Sequence, residues 1–173
     1  ECPTKYSILR CLVMPETGGD TLWADMCAAY DGLSDPLKTM IHGLTATHDF
    51  KPFRALYGDS DQDREKLRNM EQLYPNPTHP MVRTNPESGR KALFVNPHFT
   101  ISLEDMTAEE SKPVLDVLYA AATKHENIYR HKWRVGDVLM WDNRAAMHYA
   151  CYDYDDTMPR KLHRTTAGGD VPV

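Results

Sequence analysis

No stretch of this chain approaches the run of about twenty apolar residues that a membrane-spanning helix requires. Nor does it carry a basic excess: 20 lysines and arginines stand against 25 aspartates and glutamates, a formal net charge of −5. That balance argues against nucleic acid or an anionic membrane surface as an electrostatic partner. Cysteine is sparse, and Cys2, Cys11, Cys27 and Cys151 form no C-x-x-C pair. They read as reduced, mostly buried thiols of a cytoplasmic protein rather than as a disulfide framework or zinc site. Internal repeats, low-complexity tracts and domain linkers are missing too. The 173 residues therefore read as a single domain, long enough to bury a core. Nothing here speaks for or against a homo-oligomer.

What is present is strand-rich at both ends. Tyr6 to Met14 is apolar on both faces, as an interior strand is. The turn from Pro15 to Asp20 then delivers Thr21 and Trp23. A short helix is predicted over Ala24 to Leu33, stopping near Gly32, with a second around Pro36 to Met40. His42 to Phe50 is a strand candidate. Lys51 to His79 is polar and punctuated by proline, with helical character over Asp61 to Gln72, and reads as an insertion or lid. Strands His79 to Thr84 and Lys91 to Asn96 flank a turn-rich connector. Thr107-Ala108-Glu109-Glu110 has the form of a capping box, although Pro113 leaves the helix start open between Thr107 and Ser111. Tyr129 to Arg134 and Asp137 to Trp141 complete the strands. No βαβ alternation occurs, so the fold class is mainly β with inserted helices, an antiparallel barrel rather than a doubly wound sheet.

The densest chemistry lies near the end. Trp141 to Cys151 alternates like one strand, with Arg144, Ala146, His148 and Ala150 on a common face. Arg160, Leu162 and Arg164 share a face of a second strand. The polar connection Tyr152 to Pro159 reads as a hairpin loop. A hairpin centred near Asp155 sets His148 opposite Leu162, with both arginines as diagonal neighbours roughly 7–8 Å away. A short diacid could then chelate a metal at His148 and pair with an arginine at its other end. Two plainer readings compete: a hydrogen-bonded core histidine, and arginines paired with Asp153, Asp155 or Asp156 at the surface.

Five segments occur in order: Gly18-Gly19-Asp20-Thr21-Leu22-Trp23, Asn96-Pro97-His98-Phe99-Thr100, Gly136 to Arg144, His148-Tyr149-Ala150 and Arg160-Lys161-Leu162-His163-Arg164. Together they resemble the TauD/TfdA family of Fe(II)- and 2-oxoglutarate-dependent dioxygenases, from about Glu1 to Pro172. The resemblance implies a double-stranded β-helix, or jelly roll, with its first strands absent. It implies Fe(II), 2-oxoglutarate and O2 as cofactor and cosubstrates. His148 would be the distal histidine of a two-His-one-carboxylate iron site. Thr21 and Arg160 would bind the far carboxylate of 2-oxoglutarate, with Trp141 as a wall of that pocket. Arg164 would face the anionic group of the substrate, and Asn96, His98 and Phe99 are weaker substrate-pocket candidates.

One element of the pattern is not found. The family's other two iron ligands form a His-x-Asp pair, and a facial triad needs it. His48-Asp49 and His125-Glu126 have the wrong spacing. The expectation is that the pair lies upstream of Glu1 and that this chain is the C-terminal part of a single catalytic domain. The implied function is hydroxylation of a small anionic molecule, a sulfonate, sulfate ester or carboxylate. The alternatives are a binding-only protein on the same fold, or a desaturase or halogenase using the same iron.

Overall fold

The structure is a computed structural model that describes residues 2–49, 60–73, 75–155 and 157–173. Every strand pairing is antiparallel. Strand β1 (Tyr6–Val13) runs between β11 (Lys161–Ala167) and β9 (Val138–Asp142), an interior strand as its sequence reads, with Ser7 and Cys11 buried on one face. A second sheet places β2 (Thr21–Asp25) between β10 (Ala146–Ala150) and β8 (Ile128–His131). The two sheets share a core: Cys11 and Trp141 from the first meet Trp23 from the second, with Trp133 between them. A third sheet sets β3 (Thr45–His48) between β4 (Thr78–Pro80) and β7 (Thr100–Leu103), and β5 (Val82–Thr84) pairs with β6 (Lys91–Leu93) as a hairpin.

The helices cover this third sheet and the hairpin. Helix α1 (Met26–Asp31), α2 (Asp35–Ile41) and α4 (Ala108–Ala122) bury Ile41, Ala46, Met81, Leu93, Leu103, Leu115 and Leu118 together. Helix α1 starts later than its sequence suggests. Ala24 and Asp25 still pair with Met147 and Ala146 in the sheet, and the Asp25 carboxylate caps the amides of Cys27 and Ala28 at 2.9 Å. The capping box of α4 forms as read, with Thr107 as N-cap and Pro113 inside the helix. Helix α3 (Asp61–Leu73) fits the helical character read there. Phe50, at the end of the His42 to Phe50 strand candidate, residues 51–59 of the presumed insertion, and Tyr74 lie outside the described residues.

Two sequence expectations fail at the same place. The stretch from Trp141 to Cys151 is two strands in different sheets, joined by a corner at Asn143–Ala145. The corner is locally encoded: Asp142 Oδ1 accepts the Arg144 amide at 2.8 Å, and the Asp142 carbonyl accepts the Ala145 amide at 3.1 Å. Arg144 therefore does not share the His148 face. It is 2% exposed and held by Asp142 (2.7 Å) and Glu87 (3.3 Å). The loop from Tyr152 to Pro159 is likewise a crossover, not a hairpin. His148 pairs with Trp23, and Leu162 pairs with Cys11. Alternation of period two continues through a corner, so it cannot reveal that the chain has changed sheets.

Among the described residues no helix is long and apolar enough to cross a membrane. All four cysteines are free thiols; Cys11, Cys27 and Cys151 are buried and Cys2 is exposed.

Candidate active site

The Gly18-Gly19 turn builds one end of the site. Both glycines have positive φ, 76° and 72°, a conformation that side-chain-bearing residues avoid. The Gly19 amide donates to Asp153 Oδ1 at 2.8 Å, which pins the β10–β11 crossover against this turn. Arg160, at the end of that crossover, lies along the turn. Its Nε donates to the Gly19 carbonyl at 2.9 Å and its Nη2 to Thr21 Oγ1 at 3.2 Å. The same Thr21 oxygen accepts the indole N–H of Trp133 at 2.9 Å.

Register sets the rest. Across the second sheet Thr21 pairs with Ala150 and His131, while Trp23 pairs with His148 and Tyr129, so these side chains share one face. Across the first sheet Leu9 pairs with Arg164 and Leu139, and Ser7 with Trp141. The two faces look at each other. The Trp141 ring lies 4.9 Å from the His148 ring and 5.3 Å from that of Trp23. Trp141 therefore walls the space beside His148, while its own Nε1 is anchored on Asn143 Oδ1 at 2.8 Å. The Trp23 indole N–H is buried without a hydrogen-bond acceptor among the described residues.

His148 is solvent-accessible, with the Trp141 ring packed on it. Burial, then the charge of Arg164, hold its imidazole below the usual histidine range. At neutral pH it is thus a neutral ring with a lone pair to offer, the form that binds a metal. Arg164 donates to Ser7 Oγ at 3.4 Å. Neither Arg160 nor Arg164 has an ion-pair partner among the described residues. The loop acids are engaged elsewhere: Asp153 pairs with Arg130 at 2.9 Å, and Asp155 accepts from the Thr157 amide and hydroxyl. Asp156 lies outside the described residues. Two arginines without carboxylates facing one concavity can hold anionic groups.

The Asn96–Thr100 segment is tied to α4 and to the end of the third sheet. Asn96 Oδ1 accepts the amides of His98 (3.0 Å) and Phe99 (2.8 Å), and its own amide donates to Thr100 Oγ1 at 3.0 Å. Its carbonyl accepts from Tyr119 of α4 at 3.3 Å. Asn96 thus shapes the β6–β7 loop, and the Phe99 carbonyl accepts the Asp49 amide at 2.7 Å beside the third sheet.

Sequence reading missed Trp133, Ser7 and the chain Tyr129–His131–Asp137. His131 lies 3.1 Å from both the Tyr129 hydroxyl and Asp137 Oδ2, and packs edge-on against Trp133 at 4.7 Å. The alternation of Tyr129, His131 and Trp133 was the available signal. Among the described residues no three His, Cys, Asp or Glu side chains converge on a metal position. Chemically, a neutral imidazole such as His148 can bind a metal, and a cationic, hydroxyl-lined corner such as Arg160 with Thr21 can hold a carboxylate.

Comparison with known proteins places these features. A sequence profile described as "Taurine catabolism dioxygenase TauD, TfdA family" matches residues 1–166. The chain is 39% identical over 178 residues to an alpha-ketoglutarate-dependent sulfate ester dioxygenase of Pseudomonas putida, covering 100% of this chain and 58% of that protein. It is 40% identical over 169 residues to an alpha-ketoglutarate-dependent 2,4-dichlorophenoxyacetate dioxygenase of Cupriavidus pinatubonensis, covering 98% and 57%. Among solved structures, a taurine dioxygenase from Burkholderia xenovorans superposes with a TM-score of 0.84 at 38% identity, over 99% of this chain and 55% of that one. A structure of AAD-2 in complex with Mn(II) and N-oxalylglycine gives 0.85 at 35% identity, over 99% and 65%. The chain spans less than three fifths of the length of these two curated relatives. By profile, identity and fold alike, it belongs to the TauD/TfdA family of dioxygenases.

Proposed function

We propose that the protein is an Fe(II)- and 2-oxoglutarate-dependent dioxygenase that hydroxylates a small anionic molecule. The observation that carries this reading is the pair Arg160 and Arg164, neither neutralised by an acid among the described residues: Arg160 bonds Thr21, which shares the His148 face, and the charge of Arg164 acts on the His148 ring. The fold is read as a jelly roll whose first strands, with the His-x-Asp pair, lie upstream of Glu1. His148 holds the iron from this chain. Iron and 2-oxoglutarate, when bound, supply the oxidising chemistry, with O2 consumed and succinate and CO2 released.

The chain's own residues bind and orient. Arg160 and the Thr21 hydroxyl take the far carboxylate of 2-oxoglutarate. Arg164 takes the anionic end of the substrate and so points its carbon toward His148. Trp141 and Trp23 narrow the space and keep water out. Sulfate ester and 2,4-dichlorophenoxyacetate, the compounds in the relatives' names, are both anions, which suits a guanidinium that reads charge and fork geometry. Hydroxylation at a carbon beside oxygen or sulfur collapses to C–O or C–S cleavage. The buried free thiols support a reducing, cytoplasmic setting.

The test is succinate release by the full-length protein with Fe(II), O2 and a panel of sulfonates, sulfate esters and aryloxyacetates. Succinate formed in step with substrate, and only with Fe(II), supports the reading. Binding of 2-oxoglutarate without turnover on any anion would replace it with a binding-only protein.

A further inference from the structure

The Thr21 hydroxyl is held from two sides. Trp133 Nε1 donates to Oγ1 over 2.9 Å, and Arg160 Nη2 donates to the same oxygen over 3.2 Å. A threonine oxygen has two lone pairs and one proton. Both acceptor positions are taken, so the only bond Thr21 can still form is as a donor. It cannot turn away, since Thr21 is 1% exposed and Arg160 is tied by Nε to the Gly19 carbonyl.

We infer that Trp133 is a positioning residue for the carboxylate ligand: it fixes Thr21 as a hydrogen-bond donor beside the Arg160 guanidinium. With this indole in place the corner presents protons only, the demand of an ionised carboxylate. Without it, Thr21 could rotate and offer a lone pair to the same position, which repels an anion. Trp133 need not touch the ligand. It is itself 5% exposed and braced by the edge-on His131 ring at 4.7 Å, which Tyr129 and Asp137 hold in turn. The inference rests on the proposed function for the identity of the ligand, 2-oxoglutarate.

Trp133→Phe keeps most of the ring and removes the donor. In the full-length protein, loaded anaerobically with Fe(II), calorimetry should show the 2-oxoglutarate Kd rising about fivefold, the scale of one net hydrogen bond. The apparent KM of the primary substrate should stay unchanged. In a Thr21→Val background, which has no hydroxyl to orient, Trp133→Phe should add nothing; in Thr21→Ser the effect should persist. A second readout needs no ligand. The 15N-indole resonance of Trp133 should move upfield in Thr21→Val and hold its place in Thr21→Ser. Equal losses of 2-oxoglutarate affinity from Trp133→Phe with and without the Thr21 hydroxyl would show that Trp133 acts through packing alone, and an indole resonance indifferent to Thr21→Val would say the same. If the wild-type protein binds no 2-oxoglutarate while the indole coupling holds, the proposed function falls and takes the named ligand with it.

Discussion

Arg160 lies against Gly19 so closely that a Cβ on residue 19 would stand 3.2 Å from Arg160 Cδ. Gly19→Ala should therefore act twice. The positive φ costs about 1–2 kcal/mol of stability for a residue with a side chain, and the displaced guanidinium weakens 2-oxoglutarate binding. Gly18→Ala is more severe, because its Cβ would meet the Asp153 carbonyl oxygen at 2.4 Å, and backbone cannot swing aside. Thermal melts should rank wild type above Gly19→Ala above Gly18→Ala. A Gly18→Ala protein that melts with wild type would contradict the packing of the crossover on this turn.

The two arginines should separate kinetically. Arg160→Ala removes a charge-assisted partner from a part-buried corner, a loss of about 1.5–3 kcal/mol, or roughly ten- to a hundredfold in 2-oxoglutarate affinity. The primary substrate should be little affected. Arg164→Ala should do the reverse, with a smaller effect because its side chain is exposed. Titrating both ligands against both variants checks this, and interchanged phenotypes would mean the roles are swapped.

His148→Ala should leave the protein folded, since the residue is solvent-accessible and truncating it gives up mainly the contact with Trp141, while turnover and iron content fall together. Losing a protein ligand cannot be offset by groups that only orient it. Iron per polypeptide and succinate yield are the measurements. Near-normal values of both would remove His148 from the site.

Away from the site, His48 should make the fold acid-sensitive. Its Nε2 is buried without a hydrogen-bond partner among the described residues. Burial, then the neighbouring His79, push its imidazole down to about 4. The unfolded chain therefore takes up a proton first as pH falls. The neutral ring's contribution is complete above about pH 6.5 and is lost between there and about pH 4, on the order of 3 kcal/mol. His48→Phe fits beside Phe94, whose ring stacks on His48 at 5.7 Å. The stability gap between wild type and this variant, measured by urea unfolding, should shift in the variant's favour as pH drops through that window. A gap that stays constant with pH would show that His48 titrates alike in the folded and unfolded states and that its burial does not depress its pKa.

How much of this was legible depends on whether a signal is local or set by pairing. The α4 capping box was legible because Thr107 and Glu110 satisfy each other within one turn. Strand β1 was legible because apolar residues of both parities fill Tyr6 to Met14, with Arg10 the one charge among them. The constellation of Thr21, His148, Arg160 and Arg164 came from ordered motifs; the sheet register puts Thr21 and His148 on one face, and Arg160 bonds Thr21. The strand partner proposed for His148, Leu162, was wrong, because pairing partners come from the whole sheet order and not from the nearest turn, although Arg164 does lie near enough for its charge to act on the ring. Arg144 illustrates the cost: it alternates in step with His148 in sequence, yet the Asp142 corner turns it into a buried ion pair with Asp142 and Glu87. Trp133 was invisible for the same reason, since its value lies in one oxygen on a strand more than a hundred residues away.

The corner at Asn143–Ala145 also works as a ruler. Trp141 on one sheet and His148 on the other touch only because the chain between them is the right length to cross the gap and arrive facing inward. One residue inserted there would rotate β10 by half a period. Met147 or Tyr149 would then look into the concavity, and the imidazole would face outward. Loop length elsewhere in this fold can drift, but this interval can change only together with the identity of the residue that faces Trp23.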